Sequence, residues 1–327
     1  MKVGYLAAFT LSLAFGAAAH AGETTPEQLV DALNGVFGKP QGTKSSHAKG
    51  VCAAGVFKGA EGAAAVTKAG AFDGKEHPVT IRFSIGGGNP KVSDKTKGPS
   101  RGLAASIDAP DGATEFVLVS APVHFAKTPA QMVEFLKVRA PDPATGKADP
   151  EKVKAFAAAN PETTRQGAYI SGRPVAASYV DMPYFGVNTF HFTNKDGKRV
   201  SGRWIVRPVA GEVGLTEEEL KAKSDNFYAE ELPARLKAKP AAFDFLLQLP
   251  EPGDDLLNPT VAWPDDRKTV PMGRLTVTEA LSGDKADECQ KAIFNPIILA
   301  DGIEPSDDPI LQARAAAYAV SHARRTP

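Results

Sequence analysis

Residues 79–119, VTIRFSIGGGNPKVSDKTKGPSRGLAASIDAPDGATEFVLV, decide how the chain folds, because strand-like runs alternate there with chain breakers. The strand-like runs are Val79–Ser84, Leu103–Ile107 and Glu115–Val119. The breakers are Gly86-Gly87-Gly88-Asn89-Pro90 and Pro110-Asp111-Gly112, and such clusters end strands in turns. The stretch therefore predicts a block of strands joined by turns.

Helices and further strands flank this block on both sides. Upstream, Val51–Phe57 has a strand pattern, and residues 23–38 predict a short helix that opens at Thr25-Pro26-Glu27. Downstream, Thr189–Thr193 and Val200–Arg207 predict a hairpin. Helical patterns cover the segments 128–140, 150–159, 216–238 and 306–325. Because the helices lie between and after blocks of strands, the pattern predicts an α+β fold.

The composition is that of an ordinary globular protein. The 327 residues include 38 basic and 38 acidic side chains, and 43% are hydrophobic. This balance excludes collagen-like, disulfide-dense and disordered classes, and it argues against a nucleic-acid partner, which requires a basic face. The sequence contains no Gly-x-Ser-x-Gly motif, P-loop or Gly-x-Gly-x-x-Gly motif, so hydrolase and nucleotide-binding functions lack support.

The first 21 residues have the layout of a secretory signal peptide. Lys2 gives a positive start, Leu6–Ala18 is almost entirely apolar, and Ala19-His20-Ala21 is a small-x-small cleavage site. We expect cleavage after Ala21, which leaves residues 22–327 as one periplasmic or secreted domain with no membrane anchor. The alternative is an uncleaved anchor, in which the same uncharged segment spans a bilayer.

Export would place Cys52 and Cys289 in an oxidising compartment, where a disulfide is permitted. The two cysteines are far apart in the sequence, so a bridge and two free thiols both remain open. Neither lies in a Cys-x-x-Cys motif, so thioredoxin chemistry and covalent attachment of a c-type haem lack support.

The predicted helix over residues 306–325 carries the first chemical signal. Ser306 can cap its start, and the acidic pair after it favours the positive end of the helix dipole. Arg314 and Tyr318 are four residues apart, so both project from one face. A guanidinium beside a phenol favours the phenolate, and tyrosine is one of the proximal ligands of haem iron. The alternative is a packed tyrosine whose hydroxyl only hydrogen-bonds to Arg314.

Two further candidates lie closer to the amino terminus. His47 begins the run His47-Ala48-Lys49-Gly50, whose small residues let a planar ligand approach closely. Arg82, in Ile81-Arg82-Phe83-Ser84, can hold a carboxylate such as a haem propionate in a bidentate contact. Taken alone, each has a plainer interpretation: His47 as a structural histidine and Arg82 as a surface charge.

Taken together, ordered segments from about Lys44 to Arg325 resemble the monofunctional haem catalases, and the chain is most similar to the catalase-related peroxidases. The matching segments are His47-Ala48-Lys49-Gly50, Val79-Thr80-Ile81-Arg82-Phe83-Ser84, Ser100-Arg101-Gly102-Leu103-Ala104, Pro259-Thr260-Val261-Ala262-Trp263-Pro264, Asn295-Pro296, Gly302-Ile303-Glu304, Ser306, Asp307 or Asp308, Leu311-Gln312, Arg314 and Tyr318. The resemblance implies a catalase-like antiparallel β-barrel with flanking α-helices, and haem b between the barrel and the C-terminal helix. Because the chain is short for a catalase, it also implies a monomer or a small homo-oligomer.

The resemblance also implies roles for the candidate residues. His47 is expected to be the distal acid and base, and Ser84 is expected to orient it. Tyr318 is expected to ligate the iron, with Arg314 as its charge partner. The implied activity is the oxidation of a small organic electron donor by hydrogen peroxide.

Several positions of the chain depart from the family pattern. Arg82 resembles a propionate ligand, but Lys44 stands where the family usually has arginine, and lysine lacks the planar fork. The family's distal asparagine falls at Val119 or Ser120, and His124 stands where phenylalanine is common. Because a catalase must hold a second peroxide in place, we expect a peroxidase with at most weak catalase activity. The alternatives are a true catalase, a haem-binding protein and a hydroperoxide isomerase.

Overall fold

The computed structural model describes residues 23–326, so the expected signal peptide lies outside the described residues. The helices in this range are α1 (Pro26–Phe37), α2 (Pro129–Lys137), α3 (Pro150–Ala159), α4 (Arg165–Ser171), α5 (Glu217–Ala222), α6 (Phe227–Ala238), α7 (Gly283–Lys291) and α8 (Pro309–Ala323). The strands are β1 (Gly50–Gly59), β2 (Glu76–Ile85), β3 (Arg101–Ala109), β4 (Gly112–Val119), β5 (Tyr184–Phe185), β6 (Phe190–Thr193), β7 (Arg199–Pro208), β8 (Ala241–Gln248), β9 (Thr269–Ala280) and β10 (Ile303–Pro305).

Eight of these strands close into an antiparallel β-barrel. The ring runs through β1, β2, β3, β4, β5, β7, β8 and β9, and β9 pairs back with β1. Strands β6 and β10 extend the sheet outwards from β7. The expected α+β class, with an antiparallel barrel and flanking helices, is confirmed.

Side chains alternate between the inside of the barrel and its outer face. On β2, Val79, Ile81 and Phe83 point into the barrel core and are at most 3% exposed. Arg82 and Ser84 lie on the opposite face of the same strand, yet they are also buried. Helix α7 packs against β1 and β2, while α1, α2 and α8 pack on one another. The helices therefore cover a part of the outer barrel wall that carries polar side chains.

The helix that carries Arg314 and Tyr318 begins later than expected. Its N-cap is Asp308, whose carboxylate accepts a hydrogen bond from the backbone N–H two residues on. The expectation that Ser306 caps this helix is wrong. The backbone N–H of Ser306 is bonded to the carbonyl of Thr189, which holds that residue outside the helix.

A disulfide joins Cys52 of β1 to Cys289 of α7, so the open question between a bridge and free thiols is resolved in favour of the bridge. Both cysteines belong to a small buried cluster with Phe294. No helix among residues 23–326 is long and apolar enough to cross a membrane.

Candidate active site

A cavity of about 270 Å³ lies outside the barrel wall, between strands β2 to β4 and helices α1, α2 and α8. Its walls are mostly apolar, and they include Leu29, Leu33, Val117, Phe294, Ala313 and Ala317. The six residues expected at a haem site also line it: Lys44, His47, Arg82, Ser84, Arg314 and Tyr318. The fold thus gathers residues from distant parts of the chain around one largely apolar space.

His47 precedes β1 and is held by the strand pair β2 and β3. Its φ of 54° lies in the left-handed region that residues other than glycine rarely adopt. Its ring Nδ1 lies 2.9 Å from Ser84 Oγ, within hydrogen-bond distance. Gly102 faces Ser84 across the strand pair, and a Cβ there would lie 2.6 Å from Ser84 Oγ and 2.9 Å from His47 Nδ1. Glycine at position 102 therefore leaves room for this pair, and Nε2 is the ring nitrogen that remains for a ligand.

The electrostatic surroundings keep His47 uncharged. Desolvation by burial lowers the pKa of His47 to about 4, and the positive charges of Arg82 and Arg314 act in the same direction. At neutral pH the imidazole can therefore accept a proton, which is what a general base requires.

Tyr318 and Arg314 lie one turn apart on α8, as their spacing predicts. Arg314 Nε donates a hydrogen bond to Tyr318 Oη at 2.9 Å, which stabilises negative charge on the phenol oxygen. Arg314 Nη1 donates to Asn188 Oδ1 at 3.0 Å, and Asn188 Nδ2 donates to Asp308 Oδ2 at 2.6 Å. This hydrogen-bond chain runs from the helix cap to the phenol and fixes the guanidinium. Asn188 carries no local sequence signal, so sequence reasoning missed it.

Besides Arg314, three cations line the cavity: Lys44, Arg82 and Arg325. Burial first, and then the charges of Arg325 and Arg82, lower the pKa of Lys44 to about 7. Such a cluster favours a ligand that carries negative charge. Arg325 was not among the expected ligands, and it lies two residues beyond the end of α8, so helical spacing from Tyr318 does not identify it.

Arg82 differs from the expected bidentate contact. Its Nε donates to Gln290 Oε1 at 2.9 Å, and its Nη2 donates to His47 O at 3.0 Å and to Ala48 O at 3.2 Å. No residue among 23–326 accepts a hydrogen bond from Nη1, so this nitrogen alone is available to a carboxylate. Burial lowers the pKa of Arg82 to about 10, and the group stays charged at neutral pH.

The positions that depart from the family pattern have definite places in the fold. Val119 lines the cavity. Ser120 faces away from this cavity. Its hydroxyl accepts a hydrogen bond from the Arg101 backbone N–H at 2.9 Å, and the residue lines a separate cavity of about 210 Å³. His124 lines the main cavity with its Nδ1 2.8 Å from Ala126 O, and burial lowers the pKa of His124 to about 4. The cavity therefore presents a valine and an uncharged imidazole at these positions.

The residues present fit haem. The apolar walls suit the macrocycle, the cations suit its two propionates, and Tyr318 offers the oxygen ligand that ferric iron takes in tyrosine-ligated haem proteins. Arg82 Nη1, with no acceptor among the described residues, gives a carboxylate a direct partner.

Comparisons with known sequences agree with this geometry. Residues 42–327 match the catalase family. The catalase-related peroxidase of Synechococcus elongatus is 40% identical over 303 residues, which are 92% of this chain and 89% of that protein. The catalase-related peroxidase of Mycolicibacterium paratuberculosis is 32% identical over 307 residues, which are 93% of this chain and 96% of that protein.

Solved structures share the fold. Catalase A from Saccharomyces cerevisiae matches with a TM-score of 0.79 at 22% identity, over 88% of this chain and 62% of that chain. A fungal catalase also matches with a TM-score of 0.79 at 22% identity, over 88% of this chain and 60% of that chain. This chain therefore matches only part of the length of these two catalases. From the family match, the two relatives and the barrel, we conclude that the chain belongs to the catalase family.

Proposed function

We propose that this chain is a haem-dependent peroxidase that uses hydrogen peroxide to oxidise small organic donors, with at most weak catalase activity. The proposal is carried by one observation: a single apolar cavity holds both an uncharged imidazole, His47, and an arginine-bonded phenol, Tyr318. Two relatives that match most of the chain bear the name catalase-related peroxidase, which favours this activity over that of a true catalase.

The cavity offers residues that would hold both the iron and the propionates of the cofactor. When bound, haem supplies the redox chemistry. Tyr318 would hold the iron through Oη, and Arg314 would keep negative charge on that oxygen by donating its Nε–H. Lys44, Arg82 and Arg325 would hold the propionates. We propose haem b because the chain's two cysteines are bonded to each other and leave no thiol for covalent attachment.

His47 is the residue that would move the proton. Because Nδ1 is bonded to Ser84, Nε2 is left to take a proton from hydrogen peroxide. The same nitrogen returns this proton to the oxygen that leaves as water, so the imidazole ends the step uncharged, as it began. Ser84 keeps the ring oriented in both transfers. Proton transfer by a positioned histidine contributes roughly 10²–10⁴-fold to the rate.

Val119 is the residue that disfavours a catalase cycle. A catalase reduces its oxidised cofactor with a second peroxide, which has to be held in position. The side chain of Val119 offers no hydrogen bond to the cavity, and the Ser120 hydroxyl is already bonded on the other side of the strand. An organic donor that gives up one electron at a time does not need this contact. Neither a haem-binding protein nor a hydroperoxide isomerase has an observation in its favour beyond the shared fold.

An absorption spectrum tests the ligand assignment. Wild-type protein reconstituted with haemin should show a phenolate-to-iron charge-transfer band, and Tyr318→Phe should lose either this band or the haem. Arg314→Ala should keep some haem with a weaker band. Tyr169→Phe is a matched control, because Tyr169 packs against Phe185 and does not line the cavity. An unchanged spectrum in Tyr318→Phe would contradict the assignment.

We further propose that the mature protein begins at Gly22 and works outside the cytoplasm, as a monomer or small homo-oligomer. The signal-like pattern of residues 1–21 supports export, and so does the disulfide, a bond typical of oxidising compartments. Mass spectrometry of the exported protein should find Gly22 as its first residue, and an intact amino terminus would contradict this. Sedimentation of the haem-loaded protein measures the oligomeric state.

A further inference from the structure

The end of α7 contacts Lys44, Arg82 and Arg325, the three cations that line the cavity besides Arg314. Residues 290–292 are consecutive, and each holds one cation through an oxygen atom. The pairs are Gln290 Oε1 with Arg82 Nε at 2.9 Å, Lys291 O with Arg325 Nη2 at 3.0 Å, and Ala292 O with Lys44 Nζ at 2.5 Å. This one short segment therefore sets the positions of the groups that face a ligand carboxylate.

The end of a helix suits this task for a physical reason. The last carbonyls of a helix lack partners within the helix, and the helix dipole places partial negative charge there. Positive charges that share one apolar cavity repel one another, and after burial the charges of Arg325 and Arg82 are the next causes that lower the pKa of Lys44. Oxygen atoms at the end of α7 offset this repulsion and leave Arg82 Nη1 for a ligand.

Helix α7 has few attachments of its own. It is 9 residues long, and Cys289 is its only buried residue. A helix of this length is not stable alone, so its position depends on what ties it to the barrel. Cys289 immediately precedes Gln290 and is bonded to Cys52 of β1. Gln290 adds a weaker tie, because its Nε2 donates to Gly50 O at 2.8 Å.

We propose that the Cys52–Cys289 disulfide positions the carboxylate-binding cations, because it fixes the end of α7 that holds Lys44, Arg82 and Arg325. The inference rests on the proposed haem function. Both cysteines are buried, at 1% and 4% exposure, so the disulfide is shielded from reductants in the folded protein and has a structural, not a regulatory, role. Its loss should weaken recognition of the carboxylates while the apolar walls and the iron ligand stay in place.

Haemin and haemin dimethyl ester separate this role from general stabilisation, because the ester has no free carboxylates. The measurement is the dissociation constant of each compound for wild type and for Cys52→Ala/Cys289→Ala, from titrations followed by Soret absorbance. We expect haemin to bind the double variant about tenfold more weakly, the scale of one lost charge-assisted hydrogen bond. The ester should bind both proteins equally well.

Two single variants complete the design. Gln290→Leu keeps the disulfide but removes the acceptor for Arg82, so it should also weaken haemin binding and spare the ester. Lys285→Ala is the matched control, because Lys285 is exposed near the start of α7 and should affect neither compound.

Two results would overturn the proposal. Equal weakening of haemin and ester would show that the disulfide is only structural, and unchanged haemin affinity would show that it does not position the cations. If circular dichroism shows that Cys52→Ala/Cys289→Ala does not fold, Cys52→Val/Cys289→Ala replaces it, because valine fills more of the vacated space. The ratio of the haemin and ester dissociation constants is then measured on this second pair. If neither pair folds, the whole fold depends on the disulfide, and this contradicts a role confined to positioning the cations. A wild-type protein that binds no haemin would instead refute the proposed function, so the two failures are distinguishable.

Discussion

Gly102→Ala should slow the reaction with hydrogen peroxide although it replaces no residue that carries chemistry. The added methyl carbon would lie 2.6 Å from Ser84 Oγ and 2.9 Å from His47 Nδ1, whereas ordinary contact begins at 3.4 Å. Ser84 Oγ must therefore retreat by about 0.8 Å. These two atoms form the hydrogen bond that orients the imidazole, at 2.9 Å, so the variant disrupts this bond.

The size of the effect can be bounded from both sides. Ser84→Ala removes one hydrogen bond worth about 1 kcal/mol, which corresponds to about a fivefold loss of rate. His47→Ala removes the proton shuttle itself, which contributes roughly 10²–10⁴-fold. Gly102→Ala removes the hydrogen bond and also displaces the ring, so we expect a loss of about 10–100-fold, between the other two variants. Overpacking should also lower the free energy of unfolding by about 1–3 kcal/mol.

Stopped-flow mixing of each haem-loaded variant with hydrogen peroxide measures the rate constant directly, and the resting spectrum reports haem occupancy. Gly35→Ala is the control, because Gly35 lies in α1 and a Cβ there meets no atom within 4 Å. This control should react at the wild-type rate. A Gly102→Ala variant that binds haem and also reacts at the wild-type rate would refute the assignment of His47 and Ser84.

Three further predictions follow from the cavity. Val119→Asn should raise oxygen release relative to dye oxidation, while Ser120→Asn should not, because only position 119 lines the cavity; equal effects of the two would contradict this placement. The affinity of wild-type protein for haemin should fall as the pH rises above about 7, where Lys44 loses its charge. In Soret titrations, Lys44→Arg should flatten this pH dependence, because arginine keeps its charge. A wild-type affinity that does not change with pH would count against the prediction. For the haem-free chain, the free energy of unfolding should fall as the pH drops from 6.5 to about 4, because His124 takes up a proton in the unfolded state but not in the folded state, where it is buried. His124→Phe should reduce this fall in denaturant titrations. An identical pH profile in the variant would contradict the lowered pKa of His124.

The parts of the fold that follow local rules could be predicted from the sequence. Strands β1 to β4 combine strand-like runs with strong breakers, and the hairpin of β6 and β7 has a short polar turn. The Arg314–Tyr318 contact follows from helical spacing alone. For the site, local patterns identified His47, Arg82 and Tyr318 as candidates, but each also had a purely structural interpretation. Only the ordered resemblance to a family predicted that these three residues line one site.

The features that sequence reasoning missed depend on contacts between distant segments. Strand β9 contains Pro271 and Gly273, which are typical of breakers, yet it closes the barrel by pairing with β1 and β8. Both Ser306 and Asp308 have side chains that can cap a helix, and the choice between them is made by the hydrogen bond that Ser306 N–H donates to Thr189 O, just before β6. The disulfide pairing and the contact of Arg314 with Asn188 are equally invisible to local patterns.

The central proposal, a peroxidase whose proton shuttle is His47, is tested by following dye oxidation and oxygen release together in one haem-loaded preparation supplied with hydrogen peroxide. We expect wild-type protein to oxidise the dye much faster than it releases oxygen, and His47→Ala to lose roughly 10²–10⁴-fold of the dye oxidation while it keeps the haem spectrum. Oxygen release that greatly exceeds dye oxidation in wild-type protein would contradict the proposal and indicate a true catalase. Unaltered peroxide reactivity in His47→Ala would contradict the assignment of the proton shuttle.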